Sequence, residues 1–196
     1  MIPAYLADLQ LPQVFAAYTA KLEQYIQEST ADEHIVDSAR HNISGFVTTT
    51  FGQEEKAADE YFTVGNPTAK SFSLLQIDNG IIKKNAGPVT KKCDCAIADE
   101  ASLSFIEFKA KSVSSNPLRI GNNCRRAIEQ LTATIGLFDS YYNTQETDIR
   151  DLRNVEAFIC FRQGYPRKSS SLMNYQVAFA TANKGIPLSF EREKVL

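Results

Sequence analysis

Two runs separated by a short turn decide the fold: Lys92-Cys93-Asp94-Cys95-Ala96-Ile97-Ala98, then Asp99-Glu100-Ala101-Ser102, then Leu103-Ser104-Phe105-Ile106-Glu107-Phe108-Lys109-Ala110. Both runs read as strands, the first from about Val89 to Ala98 and the second from Leu103 to Ala110. Strand alternation puts Leu103, Phe105, Glu107 and Lys109 on one face and Ser104, Ile106, Phe108 and Ala110 on the other. Glu107 and Lys109 then point the same way, about 7 Å apart at ~3.3 Å per residue. Pairing about the turn at 99–102 projects Asp94 towards the sheet end that holds Glu107. Charges inside an apolar strand are costly to desolvate unless paired. Two carboxylates and an ammonium that converge supply that pairing.

Working outward, Ser71–Ile77 and Ile81–Lys84 flank Asp78-Asn79-Gly80. Asn-Gly between apolar runs predicts a hairpin with a type I′ turn, whose two central residues need positive φ. Asn85-Ala86-Gly87-Pro88 bends the second arm. Downstream come a polar loop, Ser112–Pro117, and a helix over about Asn122–Tyr142 with an apolar stripe at Ala127, Ile128, Leu131, Ile135 and Phe138. Asn154–Phe161 reads as a strand covered on both faces. A basic loop at Gly164–Ser171, a helix at Leu172–Ala182 and a short strand ending near Glu191 complete the chain. Upstream, the spacing of Leu11, Val14, Phe15, Tyr18, Leu22, Tyr25 and Ile26 predicts a helix. A second helical turn or two follows from Asp32 to about His41, with a short strand at Phe46–Phe51 and a helix over Gln53–Tyr61. The expected architecture is α/β (α+β), one mixed sheet of about five strands flanked by helices, in the order α-β-β-β-α-β with an extra C-terminal α-β. It forms a single domain, 1–196, with a mostly helical part at 1–62, a core at 70–162 and a C-terminal helix and strand at 163–196.

The 196 residues, 43% hydrophobic, suffice for one sizeable core. No apolar run reaches the ~18–20 residues of a membrane span, and the first residues lack a signal-peptide pattern. The expectation is a cytoplasmic protein without a membrane partner. Cys93, Cys95, Cys124 and Cys160 have no zinc-site spacing and read as small buried hydrophobes. Charge is uneven. Residues 1–60 carry three Lys/Arg against ten Asp/Glu, whereas residues 80–126 carry nine basic and four acidic side chains. A basic central segment fits an anionic partner, and equally fits a solvated rim of lysines on strand edges.

Two neighbouring carboxylates suit a hard cation such as Mg²⁺ or Mn²⁺, which accepts phosphate oxygens as further ligands. An acid-x-Lys triplet by itself says little, since about one chance match is expected in a chain of this composition. The other match, Glu54-x-Lys56, sits in a polar, helical segment. Only Glu107-x-Lys109 lies in an apolar strand that follows an acid-bearing strand and precedes a long helix. On that helix Arg126 and Gln130 share a face suited to a phosphate; the alternative is an ordinary surface, with Arg125 paired to Glu129. His34 and His41 lack a positioned third ligand and read as surface or cap residues.

Asp94, then twelve residues, then Glu107-Phe108-Lys109, in the order strand–turn–strand–helix–strand, resembles the PD-(D/E)xK nuclease superfamily over about residues 70–162. The resemblance implies a restriction-endonuclease-like fold and a Mg²⁺- or Mn²⁺-dependent phosphodiesterase acting on nucleic acid, DNA being the first expectation. It implies Asp94, Glu107 and the Phe108 carbonyl as metal ligands, Lys109 as the catalytic lysine, and Arg126, Gln130 and Lys111 as nucleic-acid contacts. Cys93 stands where many members carry proline, and Thr134 where exonuclease-type members carry tyrosine. Members often add a carboxylate from the first helix, for which Glu23, Glu28, Glu33 and Glu60 are candidates. Many dimerise to cut two strands, so a homodimer or a partner protein is a further expectation. The alternative is a catalytically inactive module of the same fold, an immunity protein, inhibitor or defence-complex subunit, which the acidic N-terminal third favours.

Overall fold

The computed structural model describes residues 1–83, 91–109, 117–162 and 170–196. The chain begins with two 3-10 segments, Ala4–Leu9 and Leu22–Tyr25, on either side of the short helix α1 (Leu11–Val14). It continues through β1 (Ile26–Ser29), β2 (Glu33–Ser38), β3 (Ile43–Phe46), α2 (Gln53–Ala57), β4 (Phe62–Gly65), β5 (Phe72–Gln76), β6 (Cys95–Ala98) and β7 (Ser102–Phe108). The long helix α3 (Pro117–Asn143), α4 (Ile149–Leu152), β8 (Asn154–Cys160), α5 (Ser170–Ala182), β9 (Leu188–Ser189) and β10 (Glu193–Val195) follow.

The strands form two sheets, one of six in the order β1-β5-β6-β7-β8-β9 and one of four in the order β10-β4-β2-β3. Strands β5, β6 and β7 pair antiparallel, while β7, β8 and β9 run parallel, joined by α3 and then α5. Parallel neighbours need such crossovers. All seven residues of β7 are buried because the six-stranded sheet is covered on both faces. On one face Leu103 and Phe105 pack with Cys124, Leu131, Ile135 and Phe138 of α3. On the other, Ile106 and Phe108 pack with Ile35, Phe62 and Val64 of the four-stranded sheet. The molecule is therefore a three-layer stack: helices, large sheet, small sheet.

The sequence reading holds for the mixed α/β class and for the elements at 72–76, 95–98, 102–108 and 154–160. It fails elsewhere. The mostly helical part at 1–62 contains three whole strands and the start of a fourth, and the segment after Asp32 is strand β2 rather than a helix. Ile35 and Val36 are β-branched and fully buried, Ile35 paired with both β3 and β4 and Val36 with β3, and this pairing outweighs local helical spacing. The expected helix from Leu11 to Ile26 is reduced to α1 and a 3-10 turn. The single sheet of about five strands becomes two sheets, because β2 pairs with β3 and β4, and β10, which periodicity over three residues could not announce, adds itself parallel to β4.

The Asn-Gly hairpin is replaced by a tight reversal. Asn79 has φ 57° but Gly80 is not left-handed, so the turn is not type I′. Ile81 N–H donates to the Gln76 carbonyl and Ile82 N–H to the Ile77 carbonyl. A Cβ at Gly80 would lie 2.1 Å from the Gln76 oxygen, so glycine is required by this close approach. β5 then pairs directly with β6.

Candidate active site

The β6–β7 register sets Cys95 opposite Ile106 and Ala96 opposite Phe105. Continued by one residue, it brings Asp94 opposite Glu107, on the face that meets α3. Asp94 is held at both ends. Its carbonyl accepts the Ile77 and Asp78 N–H groups, and its Oδ2 accepts the Phe108 N–H at 2.5 Å. The Phe108 carbonyl, expected as a ligand, therefore belongs to the residue that anchors the other acid. Before Asp94 the chain leaves the sheet, where Cys93 N–H donates to Thr134 Oγ1 on α3 at 2.8 Å.

Glu107 is 1% exposed and Asp94 7%. Lys109 Nζ donates to Glu107 Oε1 and, at 3.0 Å, to Gln130 Oε1. Gln130 Nε2 donates to the Lys92 carbonyl at 3.0 Å. Gln130 thus fixes the ammonium over the acid while tying α3 to the segment that leads into β6. Glu107 Oε2 is buried and has no hydrogen-bond donor among the described residues. Burial outweighs the pull of Lys109 and raises the Glu107 carboxyl to about 7, with smaller pushes from Asp37 and Asp78. Burial, and then the charge of Glu107, pushes Asp94 well above the usual carboxylate range. Two acids that resist ionising side by side suit a cation that stabilises both anions.

Arg126 is exposed and Gln130 half-buried; with Asp78, Lys91, Lys92 and Glu129 they line a cleft of about 430 Å³. Its wall at Gln130 leads to Lys109 and so to Glu107. Lys92 pairs with Asp78 at 3.1 Å and Lys91 with Glu129 at 2.8 Å. The alternative Arg125–Glu129 pair does not form, since Arg125 donates to Asn122 Oδ1. Lys111 lies outside the described residues.

Asp37 and Asp78 are the acids that sequence reasoning missed. Asp37 lay in a segment read as helix, and Asp78 was read only as a turn residue. Of the N-terminal candidates, Glu23 and Glu28 are exposed and Glu33 accepts from Ser29 Oγ at 2.7 Å. None of Glu23, Glu28, Glu33 and Glu60 is among the main causes of the raised Asp94 and Glu107 carboxyls. His34 packs against the Tyr61 ring and His41 against the Phe51 ring, both tilted. All four cysteines are buried and none is in a disulfide, as a core role requires. Glu54 and Lys56 are exposed on α2. Among the described residues, no three His, Cys, Asp or Glu side chains group as metal ligands. Among them also, no helix is long and apolar enough to cross a membrane. Comparison with protein-family models, with curated proteins and with solved structures yields no match to this chain.

Proposed function

We propose that the chain is a Mg²⁺- or Mn²⁺-dependent nuclease of the PD-(D/E)xK type, acting on DNA, with a restriction-endonuclease-like core formed by β5, β6, β7, α3 and β8. The observation that carries this reading is Glu107 Oε2, a buried carboxylate oxygen without a donor among the described residues, across from Asp94 and beside Lys109. A donor set of two carboxylate oxygens and a main-chain carbonyl at Phe108 fits a hard cation that keeps several waters. When bound, the ion supplies Lewis-acid polarisation of a phosphodiester and counter-charge for its leaving oxygen.

The side chains divide the remaining work. Asp94 and Glu107 hold the negative charge that retains the cation, each kept in place by the β6–β7 pairing. Lys109, positioned by Gln130, orients an attacking water and offsets charge that develops on the phosphoryl oxygens. Arg126, at the cleft mouth, holds a neighbouring phosphate.

The test is cleavage of plasmid DNA with Mg²⁺ or Mn²⁺, beside calorimetric titration with Mn²⁺. Wild type cleaves and binds Mn²⁺. Lys109→Ala loses at least about 10²-fold in rate and keeps Mn²⁺ binding, whereas Glu107→Gln loses both. The near-complete burial of both acids favours a second reading, the inactive interaction module. A chain that binds no Mn²⁺ and cuts no DNA or RNA, yet captures a protein partner tightly, establishes the second and removes the first.

A further inference from the structure

Helix α5 carries the chain from β8 to β9 and holds no Asp, Glu, Lys or Arg in its 13 residues. Its polarity is turned inside out. On the inner side Leu172 and Phe179 enter the core. The polar side chains on that side are bonded within the fold. Tyr175 OH donates to the Gly121 carbonyl at 3.4 Å and Gln176 Nε2 to the Leu188 carbonyl at 2.8 Å. Just past the helix end, Asn183 Nδ2 donates to Thr132 Oγ1 at 3.1 Å.

The outer side presents Met173, 64% exposed, and Val177, 67% exposed, one turn apart, with Asn174, Ala178, Thr181 and Ala182 exposed beside them. The Thr181 hydroxyl returns to the Val177 carbonyl at 2.9 Å, so that polar group is satisfied within the helix. A surface helix ordinarily turns charge to water. The neighbouring α3 does so, with Arg125, Arg126 and Glu129 exposed. The Tyr175–Gly121 contact sets the first turns of the two helices side by side. Leu118, 77% exposed and three residues before Gly121 on the same side of α3, lengthens the apolar strip.

We infer that this face is the contact between two copies of the chain, related by a two-fold axis, with Met173 of one copy against Val177 of the other. A single helix ridge is convex and offers no groove to an extended or helical peptide. It carries no cation to hold an anionic lipid headgroup and no charge to select a charged partner. Its own copy matches it, because two uncharged faces meet without burying an unpaired charge. The face is about 20 Å long and about 10 Å wide. That is short of the roughly 800 Å² that each partner gives to a stable interface, so the pair is weak. The inference stands apart from the nuclease reading, since no residue of the acid pair or its cleft contributes.

The experiment is sedimentation equilibrium of the full chain in EDTA. Monomer and dimer exchange with a Kd on the order of 10⁻⁵–10⁻⁴ M. Val177→Glu and, separately, Met173→Lys, both at exposed positions that the fold tolerates, weaken the association at least about tenfold. Val195→Glu, on the edge strand β10, leaves it unchanged and so separates helix contact from sheet-edge pairing. Raising NaCl from about 0.1 M to about 0.5 M does not weaken it, since no ion pair is involved. A chain that stays monomeric to about 1 mM overturns the proposal. So does a dimer indifferent to both α5 variants, or one dispersed by salt. Capture by neutral phosphatidylcholine vesicles without self-association overturns it as well, by making the face a lipid contact.

Discussion

Glu107 concentrates the chemistry of this protein in one side chain. One oxygen meets an ammonium and the other meets nothing among the described residues. Its carboxyl stands at about 7 in the folded chain against an ordinary 4.5, so folding favours the protonated form. That contribution to stability is complete below about pH 4.5 and is lost as pH rises through about 7. Metal-free wild type is therefore less stable at pH 8 than at pH 5.5 through this group, and the raised Asp94 acts in the same direction. Glu107→Gln removes the Glu107 share and flattens the profile. Urea unfolding in EDTA at the two pH values measures it, and parallel profiles for wild type and variant would contradict the assignment. The acid pair was legible as sequence because two charges in an apolar strand require a reason. The raised pKa was not, since it depends on how completely α3 covers the strand.

At the level of elements, the contact between α3 and the start of β6 holds the site together. Thr134 accepts the Cys93 N–H and donates to the Gln130 carbonyl at 3.1 Å, so one hydroxyl links the helix to the strand lead-in. Thr134→Val leaves a buried N–H unpaired and costs about 1–3 kcal/mol, while Thr134→Ser retains the bond and most of the stability. Chemical denaturation separates the two, and equal losses would show that packing rather than the hydroxyl matters. The apolar stripe of α3 predicted the helix itself, and the helix starts earlier than expected, at Pro117. The role of Thr134 was hidden, because it arises between residues 41 apart in the chain. The same holds for β2, whose neighbours β3 and β4 decide its conformation. Asp37 became an acid near the site only through that pairing.

For the whole molecule, the three layers share a core across the large sheet. Phe62 of the small sheet is fully buried and meets Phe158 of the large one edge-on at 5.1 Å. Phe62→Ala costs about 3–5 kcal/mol, and unfolding stays a single cooperative transition if both sheets belong to one domain. Two resolved transitions by circular dichroism and tyrosine fluorescence would divide the chain instead.

Local pattern was enough for the mixed α/β class, the strands at 95–98, 102–108 and 154–160, and the convergence of Asp94, Glu107 and Lys109, because side-chain alternation and a short turn act over a few residues. Distant contacts decided the rest. The second sheet exists because β2 takes β3 and β4 as partners and β10 reaches back across the chain to β4. Gly80 is needed because a backbone oxygen lies 2.1 Å from where its Cβ would stand. Glu107 holds its proton near neutrality because a helix closes over it. Burial and long-range pairing arise only when separated segments meet, and no window of sequence contains that information.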